Sequence, residues 1–574
     1  MAFDGIICSS IVSELNTTIL NGKINKIFEP NKNEILLGIY SMGKNYSLNI
    51  CISPVNYRIN LTTHTKPNPK NVFNFCMVLR KHLTGGTIKK IYMNGLDRII
   101  YIDIDCYNEL NDHITKTLII ELMGKHSNII LINSNGIIID SLRHLNKLDN
   151  SIRDILPGLK YSSIINTKLD FYASTFDSFY NVLKNSPHKS ISSIISNNFI
   201  GFSKSGIYYI LQDLGIEDNT DISLSDLKTF YHYIRELLNT INENISELTC
   251  INKNNLQKLD FYIIYEKQNN LQINFFIDDF YYTKETNEIF VSQKNIILRI
   301  ILDKLKKLSD KLKAIDKKLE ECSNMDTYKL YGELITANLY KIENYNQESI
   351  TLENYYNKNL PITIKLDSSI STASNAKKFF KKYKKLQNTI SIVNKQKELI
   401  KTEMDYLDSI IYEITDANNL NDLNNILSEI NEDLNLQIDT NNNNIPSKKN
   451  TKIESNLPTE YKFDGFTILV GKNNKQNDNL TCRIARKNDL WFHTKDIHGS
   501  HVVLRLDKNI KNIPDSIIYK CATIAAFYSK AKLSQNVPVD YTYIKYVKKP
   551  NGAKPGMVIY TDNKTLYVNP KSPS

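Results

Sequence analysis

The sequence predicts a multidomain α+β protein in which two α+β end domains flank a long antiparallel coiled-coil hairpin, and three observations lead there. At 574 residues, 41% hydrophobic and 23% charged, the chain has globular composition but exceeds what one hydrophobic core can organise, so three or four domains are expected. Short β-prone runs punctuated by turn residues fill both ends of the chain. Between them lie two apolar seams with a heptad repeat.

From Phe3 to about Leu131 the runs EILLGIYS, YSLNICIS, RIIYIDIDCY, TKTLIIELMG and SNIILINSNGIIIDSL alternate with turns, the pattern of antiparallel strands. One helix is predicted among them, around NVFNFCMVLRKHL. Residues 176 to 252 read as small helices joined by polar turns. A strand pair, DFYIIYEK and INFFIDDFYYT, is expected within 253 to 290, either on its own or joined to the first sheet.

The first seam is Leu298, Ile301, Leu305, Leu308, Leu312, Ile315 and Leu319, spaced alternately by three and four. Phe379, Tyr383, Leu386, Ile390, Val393, Ile400, Met404, Leu407, Ile411 and Ile414 answer it, with Lys397 as a polar interruption. Separated by about 60 residues that hold the apolar helix KLYGELITANLYKI, the seams describe an antiparallel hairpin within 291 to 436. At about 1.5 Å per residue its longer arm reaches roughly 54 Å, the length of a spacer. Residues 437 to 458, rich in Asn, Lys and Pro, read as a flexible linker. Beyond it FDGFTILVG, DLWFHTKD, SHVVLRL, VDYTYIKYV, GMVIYT and TLYVNP are strand-like, with one helix at YKCATIAAFYSKAKL, so 459 to 574 is a second α+β domain.

Charge is unevenly placed. The net +11 resolves into 19 Lys and Arg against 14 Asp and Glu over 1–175, 34 against 38 over 176–458, and 19 against 9 over 459–574. A compact, strongly basic last domain is the electrostatic footprint of a nucleic-acid binder, because cations that neutralise phosphates release condensed counterions. Eight cysteines fall into no CxxC pair and are expected to be buried thiols, neither zinc ligands nor redox dithiols. Asp4 stands where a signal peptide needs basic residues, and no apolar run approaches the ~18 to 20 residues that span a bilayer, so a cytoplasmic chain without membrane contact is expected.

Chemistry is sparse. No GxxxxGK[ST], HExxH or GxSxG occurs, and GKNNKQ lacks the residues that would make it a phosphate loop. His493, Asp496, His498 and His501 fall close together, but strand alternation aims them apart and no fourth ligand is evident, so no metal is expected. Trp491, His493 and His501 read instead as donors around a stacking surface for a base or sugar, the alternative being a buried tryptophan. Asp97 and Arg98, where a turn enters a strand, can present a guanidinium fork to phosphate or base edges, or form a plain surface ion pair. Lys377, Lys378, Lys381 and Lys382 crowd the start of the second seam, as an RNA or acidic-protein contact or a solvated face. The loops KNNKQND (Lys472, Asn473, Asn474) and VKKPNGAKPG (Lys548, Lys549, Lys554) suit RNA backbone contacts, or are plain turns.

The strings FCMVLRKHLTGG, GLDRII, ELMGKHSNIILIN, DSLRH, ILPGLKY, YGELITANLY, NAKKFFKKYKKL, VGKNNKQNDNLT, DLWFHTKDIHGSHVV and VDYTYIKYVKKPNGAKPG together resemble the NFACT family, in the same order and over essentially the whole chain. The resemblance implies an NFACT-N domain over 1–175, a small helix-hairpin-helix module over 176–252, a coiled-coil middle domain over 291–436 and an RNA-binding NFACT-R domain over 459–574. It implies tRNA binding at Asp97 and Arg98, with Glu121, Arg80 and Lys125 in matching strings. It further implies a non-enzymatic factor without cofactors, which binds 50S ribosomal subunits carrying peptidyl-tRNA, recruits alanyl-tRNA and supports untemplated alanine tailing. Its partners are expected to include 23S rRNA and a small RqcP-like (Hsp15-like) RNA-binding protein. Two departures stand out: His498 occupies a position where the family usually has Pro, and the helix-hairpin-helix turn reads IGFSKSG. Two other classes are a fibronectin-binding surface adhesin and a DNA glycosylase-like enzyme. The second needs an N-terminal proline amine followed by Glu, and Ala2 and Phe3 stand there instead.

Overall fold

The computed structural model describes residues 3–573 apart from 108–111, 147–152, 165, 187–189, 220–221, 244, 246–247, 256–257, 266–271, 343–347, 435–456 and 507–512. The linker expected at 437–458 lies almost wholly outside the described residues. Two compact units divide the chain, with the boundary falling between Ile289 and Phe290.

The first unit opens with a helix that the strand-dominated reading missed, α1 (Gly5–Thr18). Four of its apolar residues, Ile6, Ile7, Ile11 and Val12, are β-branched and favour strands in isolation. Asp4 nevertheless caps it, accepting from the backbone N–H of Ile6 and Ile7, and Ile6, Ile7, Ile11 and Leu15 are buried along one face. Then come β1 (Lys23–Asn31), β2 (Glu34–Ser41), β3 (Lys44–Cys51), β4 (Arg58–Leu61), α2 (Asn74–Leu83), β5 (Thr87–Met93), β6 (Ile99–Tyr107), β7 (His113–Glu121), β8 (Asn128–Ile132) and β9 (Ile138–Ser141). They form one antiparallel sheet of order β4-β3-β2-β1-β5-β6-β7-β8-β9. Strand alternation gives the sheet two apolar faces: β6 sends Ile100, Ile102 and Ile104 into the main core under α1 and α2, and Ile99 into a second cluster with Ile119, Ile130 and Ile138.

Four helices follow, α3 (Phe176–Lys184), α4 (Ile191–Asn198), α5 (Lys204–Asp213) and α6 (Leu224–Glu243), and their apolar faces join the main core. The strand pair is β10 (Leu248–Asn255) with β11 (Lys258–Tyr265), a separate two-stranded sheet. INFFIDDFYYT is not a strand. It starts α7 (Ile273–Glu321), because Ile273, Ile277 and Tyr281, four apart, line one helical face and are buried. Polar residues beside them pin this helix to the sheet: Asn274 Oδ1 accepts from Leu61 N (2.9 Å), Asp278 Oδ2 from Thr63 N (2.9 Å), and Glu285 pairs with Arg58 and Lys66.

In the second unit the rest of α7 lies antiparallel to α9 (Thr372–Asp416). Lys304 pairs with Glu403 at 2.9 Å and Asp316 with Lys397 at 2.6 Å, so the polar break in the second seam is met by an opposite charge. Ile297, Ile301 and Leu308 pack with Tyr406, Leu407, Ile410 and Ile414, joined by Leu423, Ile426 and Ile430 of α10 (Leu420–Asp433). Between α7 and α9 come α8 (Met325–Ala337) and an unanticipated hairpin, β12 (Ser349–Asn354) with β13 (Leu360–Lys365). Its turn needs left-handed backbone at Lys358 and Asn359, a signal weaker than Asn-Gly.

The last domain holds β14 (Thr459–Phe463), β15 (Phe466–Val470), α11 (Asn474–Asn479), β16 (Leu490–Thr494), β17 (Val502–Arg505), α12 (Asp515–Phe527), β18 (Val537–Tyr543), β19 (Val547–Lys548), β20 (Ile559–Tyr560) and β21 (Lys564–Val568). Six strands form a sheet of order β14-β15-β17-β16-β18-β21, and α12 covers the face that carries Ile468, Phe492, Val502 and Val539. Among the described residues no helix is long and apolar enough to cross a membrane.

Candidate nucleic-acid interface

The Asp97–Arg98 turn lies between β5 and β6, where three segments of the first unit converge. Leu96 anchors it from below. Gly201, at φ +84° in the turn between α4 and α5, has no room for a side chain, since a Cβ there would lie 2.3 Å from that of Leu96. Gly201 O accepts from Gly5 N at 2.6 Å, and Asp4 Oδ2 accepts from Ser203 N and Oγ at 3.2 and 2.8 Å. The IGFSKSG turn thus spends these backbone groups on its own chain. Burial pushes the Asp4 carboxyl up to about 6, opposed by the Ser203 hydrogen bonds and the Arg98 charge.

Above this floor Asp97 and Arg98 are half-buried. Arg98 Nη1 donates to Tyr57 Oη at 3.0 Å, with the guanidinium carbon 5.7 Å from that ring's centre. Burial raises the Asp97 carboxyl pKa, against the pull of Arg98. Leu122 N donates to Arg98 O (2.9 Å), which brings the ELMGKH turn alongside, and a Cβ on Gly124 would lie 4.0 Å from Tyr57. Lys125 and His126 of that turn are exposed. Lys168, its ammonium pKa lowered first by burial and then by Arg98, donates to Ser196 O. The result is a guanidinium held beside a phenol, with Lys125 and Lys168 on neighbouring segments, an arrangement suited to a phosphate or base edge. Tyr57 and Lys168 escaped sequence reading because neither lies in a motif, and only the fold brings them to Arg98.

Two predicted residues sit differently from expectation. Glu121 is fully buried and pairs with Arg153, while Tyr161 Oη donates to its other oxygen at 2.7 Å. Strand register explains it: Glu121 faces Ile99 across the ladder and points into the second apolar cluster, where a carboxylate needs partners. Arg80 is half-buried, its Nε donating to Ile27 O at 2.8 Å, so it ties α2 to β1.

The last domain departs further from expectation. Asn473 and Asn474 are buried rather than offered to solvent. Asn474 N donates to Glu413 and its Nδ2 to Glu429 Oε1 (3.1 Å) and Ser409 Oγ (3.0 Å), groups on α9 and α10. Tyr406 Oη donates to the same Glu429 oxygen at 2.8 Å. Burial raises the pKa of both carboxyls, Glu429 to about 7, and mutual repulsion adds to the rise of Glu413. Lys554 Nζ donates to Asp433 O (2.8 Å) and Lys549 pairs with Asp478 (2.7 Å), leaving Lys472 and Lys548 exposed.

Trp491 is fully buried with Leu469, Leu480, Val503 and Ile544, and is no solvent-facing stacking platform. His493 stacks on it (5.6 Å, 10°), and His501 meets it edge-on (5.1 Å) while sharing a 2.7 Å hydrogen bond with Thr481. Burial pushes His493 down to about 4 and His501 down as well, so neutral imidazoles stand there at pH 7. A cleft of about 1190 Å³ beside them is lined by Glu403, Asp405, Glu413, Asp433 and Asp496 as well as Lys304, Lys472 and Lys554, a mixed lining in which the acids offset the cations. Among the described residues no group of three or more His, Cys, Asp or Glu could hold a metal ion. Seven cysteines are buried, and Cys482 is exposed. Lys377, Lys378, Lys381 and Lys382 are exposed near the start of α9, with Lys378 paired to Asp367 (2.8 Å) and Lys382 4.1 Å over Tyr328.

A family model described as the NFACT N-terminal and middle domains matches residues 4–450, and one described as the NFACT protein RNA binding domain matches 459–562. The chain belongs to the NFACT family. Among NFACT relatives, the "Rqc2 homolog RqcH" of Bacillus subtilis is 35% identical over 582 residues, covering 99% of this chain and 98% of that one. A protein of the same description from Streptococcus pneumoniae is 33% identical over 579 residues, covering 100% and 98%. A solved structure, the N-terminal part of a fibronectin/fibrinogen-binding protein from Streptococcus suis, is 28% identical with a TM-score of 0.40, covering 49% of this chain and 99% of that one. The RNA-binding model falls within the stretch 459–574, which carries 19 Lys and Arg against 9 Asp and Glu.

Proposed function

We propose that this protein is a ribosome-associated quality-control factor of the cytoplasm. It binds 50S subunits obstructed by peptidyl-tRNA, recruits alanyl-tRNA and supports untemplated addition of alanine to the C-terminus of the nascent chain, marking it for degradation. The observation that carries this reading is the end-to-end likeness to the Rqc2 homologues, together with an RNA-binding domain at the basic end.

In this reading the first domain holds tRNA through Asp97, Arg98, Tyr57 and Lys125. Residues 176–252 form a helix-hairpin-helix module that buttresses the site, the α7–α9 pair is a coiled-coil spacer bearing the Lys377–Lys382 cluster, and the last domain meets 23S rRNA. An RqcP-like small protein completes the set of partners. The chemistry is consistent with a chain that offers no nucleophile motif. The ester of an aminoacyl-tRNA already carries the free energy of peptide bond formation, and the ribosome supplies the catalytic centre. Holding the tRNA in a productive pose is then a sufficient contribution, since orientation alone removes a large part of a bimolecular barrier.

The test is reconstitution. Large subunits carrying peptidyl-tRNA, alanyl-tRNA and the full chain should yield nascent chains lengthened by successive alanines in mass spectrometry, and omission of the subunits should abolish extension. Turnover by the protein unaided, or no extension with all components present, would contradict the proposal.

A further inference from the structure

The RNA-binding loops that the sequence points to are largely turned onto their own chain, which leaves Lys472 and Lys548 as their exposed lysines. Resting on the reading above, we infer that unpaired RNA docks on a basic, tyrosine-bearing face built from residues 483–487 and 543–548. Two backbone hydrogen bonds bring these segments together, Lys545 N to Lys487 O (3.2 Å) and Ile544 N to Asp489 O (3.0 Å). Arg483, Arg486 and Lys487 on one segment and Lys545 and Lys548 on the other are exposed.

The nearby acids do not cancel this charge. Asp489 is fully buried and accepts from Arg486 N (2.8 Å) and Leu506 N (3.0 Å), with Arg505 3.9 Å away. Asp478 is paired with Lys549. None of the five exposed cations has an acidic partner among the described residues. Tyr543 is 41% exposed, and Lys545 Nζ lies 5.5 Å from its ring and 4.7 Å from that of Tyr546.

Cations in this density attract a phosphate backbone, and an exposed phenol between them offers a face on which a base can stack. Duplex RNA hides its base faces, so the tyrosine selects for unpaired strands. In the cleft that Trp491 and His493 line, Lys304, Lys472 and Lys554 are offset by Glu403, Asp405, Asp433 and Asp496, so it offers phosphate no comparable excess of positive charge. Of this face the sequence alone points to Lys548, because the halves, CRIARK and YIKYVK, are about 60 residues apart and only the fold brings them together.

The test uses the full chain carrying Arg98→Ala, so that the first domain's site does not mask the result. Affinity for a 12-nucleotide single strand and for a hairpin duplex is measured by anisotropy across salt concentrations. Arg483→Gln/Arg486→Gln/Lys487→Gln should flatten the slope of log affinity against log salt by about 2, at about 0.7 per lost phosphate contact on a single strand, and Lys545→Gln/Lys548→Gln by about 1. Tyr543→Ala should weaken the single strand about tenfold and leave the duplex unchanged. Lys462→Gln/Lys530→Gln, exposed positions outside these segments, should change neither. Unchanged slopes in both charge variants, with binding by the parent intact, would overturn the assignment of this face alone. Equal loss on duplex and single strand with Tyr543→Ala would overturn the selection for unpaired RNA. No binding by the parent would remove the RNA reading of the domain and this face with it.

Discussion

The Asp97–Arg98 turn and the Lys472–Asn474 loop look alike in sequence, each a short polar stretch between strands, yet the fold treats them in opposite ways. The first is supported from beneath and left open above: Leu96, Gly201 and Asp4 fix its base, and Tyr57 orients Arg98. The second is consumed, because Asn474 satisfies Glu413 and Glu429 in a buried node shared with α9 and α10. A polar loop becomes an interface only where its own chain leaves its donors unspent. Composition cannot reveal this, because the acceptors that claim Asn474 come from residues 413 and 429.

The contrast can be broken by substitution, and the largest effect is expected in the closed region. Trp491→Ala should cost about 3–5 kcal/mol of folding stability in denaturant melts, the range for deleting a buried aromatic. A loss under about 1 kcal/mol would mean the indole is not core. In the open region Arg98→Ala should lower tRNA co-purification about tenfold or more, corresponding to about 1–3 kcal/mol, while the melting curve stays put. Normal tRNA recovery would remove the turn from the interface.

The buried node adds a pH signature. Glu429 rises from the ordinary 4.5 to about 7, and Glu413 is raised too, chiefly because burial disfavours the charged form. The folded chain therefore keeps protons that the unfolded chain has released between about pH 4.5 and 7, so this node's contribution to stability is greatest at low pH and declines as pH rises through that window. Glu429→Gln should flatten the decline in melting temperature between pH 5 and about 7, and an identical profile would contradict the assignment. The smallest effect belongs to Lys472, exposed beside the node: Lys472→Gln should change the salt slope of RNA binding by no more than about 0.7.

Much of the architecture was legible because periodicity is a local property. The seams of α7 and α9, the helix at α12 and most strands of both sheets follow from spacing alone. Failures arose where local propensity and tertiary role disagree. The β-prone residues of α1 became helical because Asp4 caps them and one face is buried, and INFFIDDFYYT became helical because Ile273, Ile277 and Tyr281 needed to meet the sheet. Of the candidate sites, Asp97 and Arg98 were legible as a pair, whereas Tyr57 and Lys168 were not. Glu121 and Trp491 were visible as residues, but their burial is a matter of register.

Sequencing the RNA that co-purifies with the full chain and with Arg98→Ala, in the large-subunit fraction of a sucrose gradient, bears most directly on the idea that this protein positions charged tRNA on the ribosome. The account predicts 23S rRNA with both proteins, and alanine tRNA enriched with the parent but depleted with the variant. Absence of the protein from that fraction, or tRNA recovery indifferent to Arg98, would contradict it.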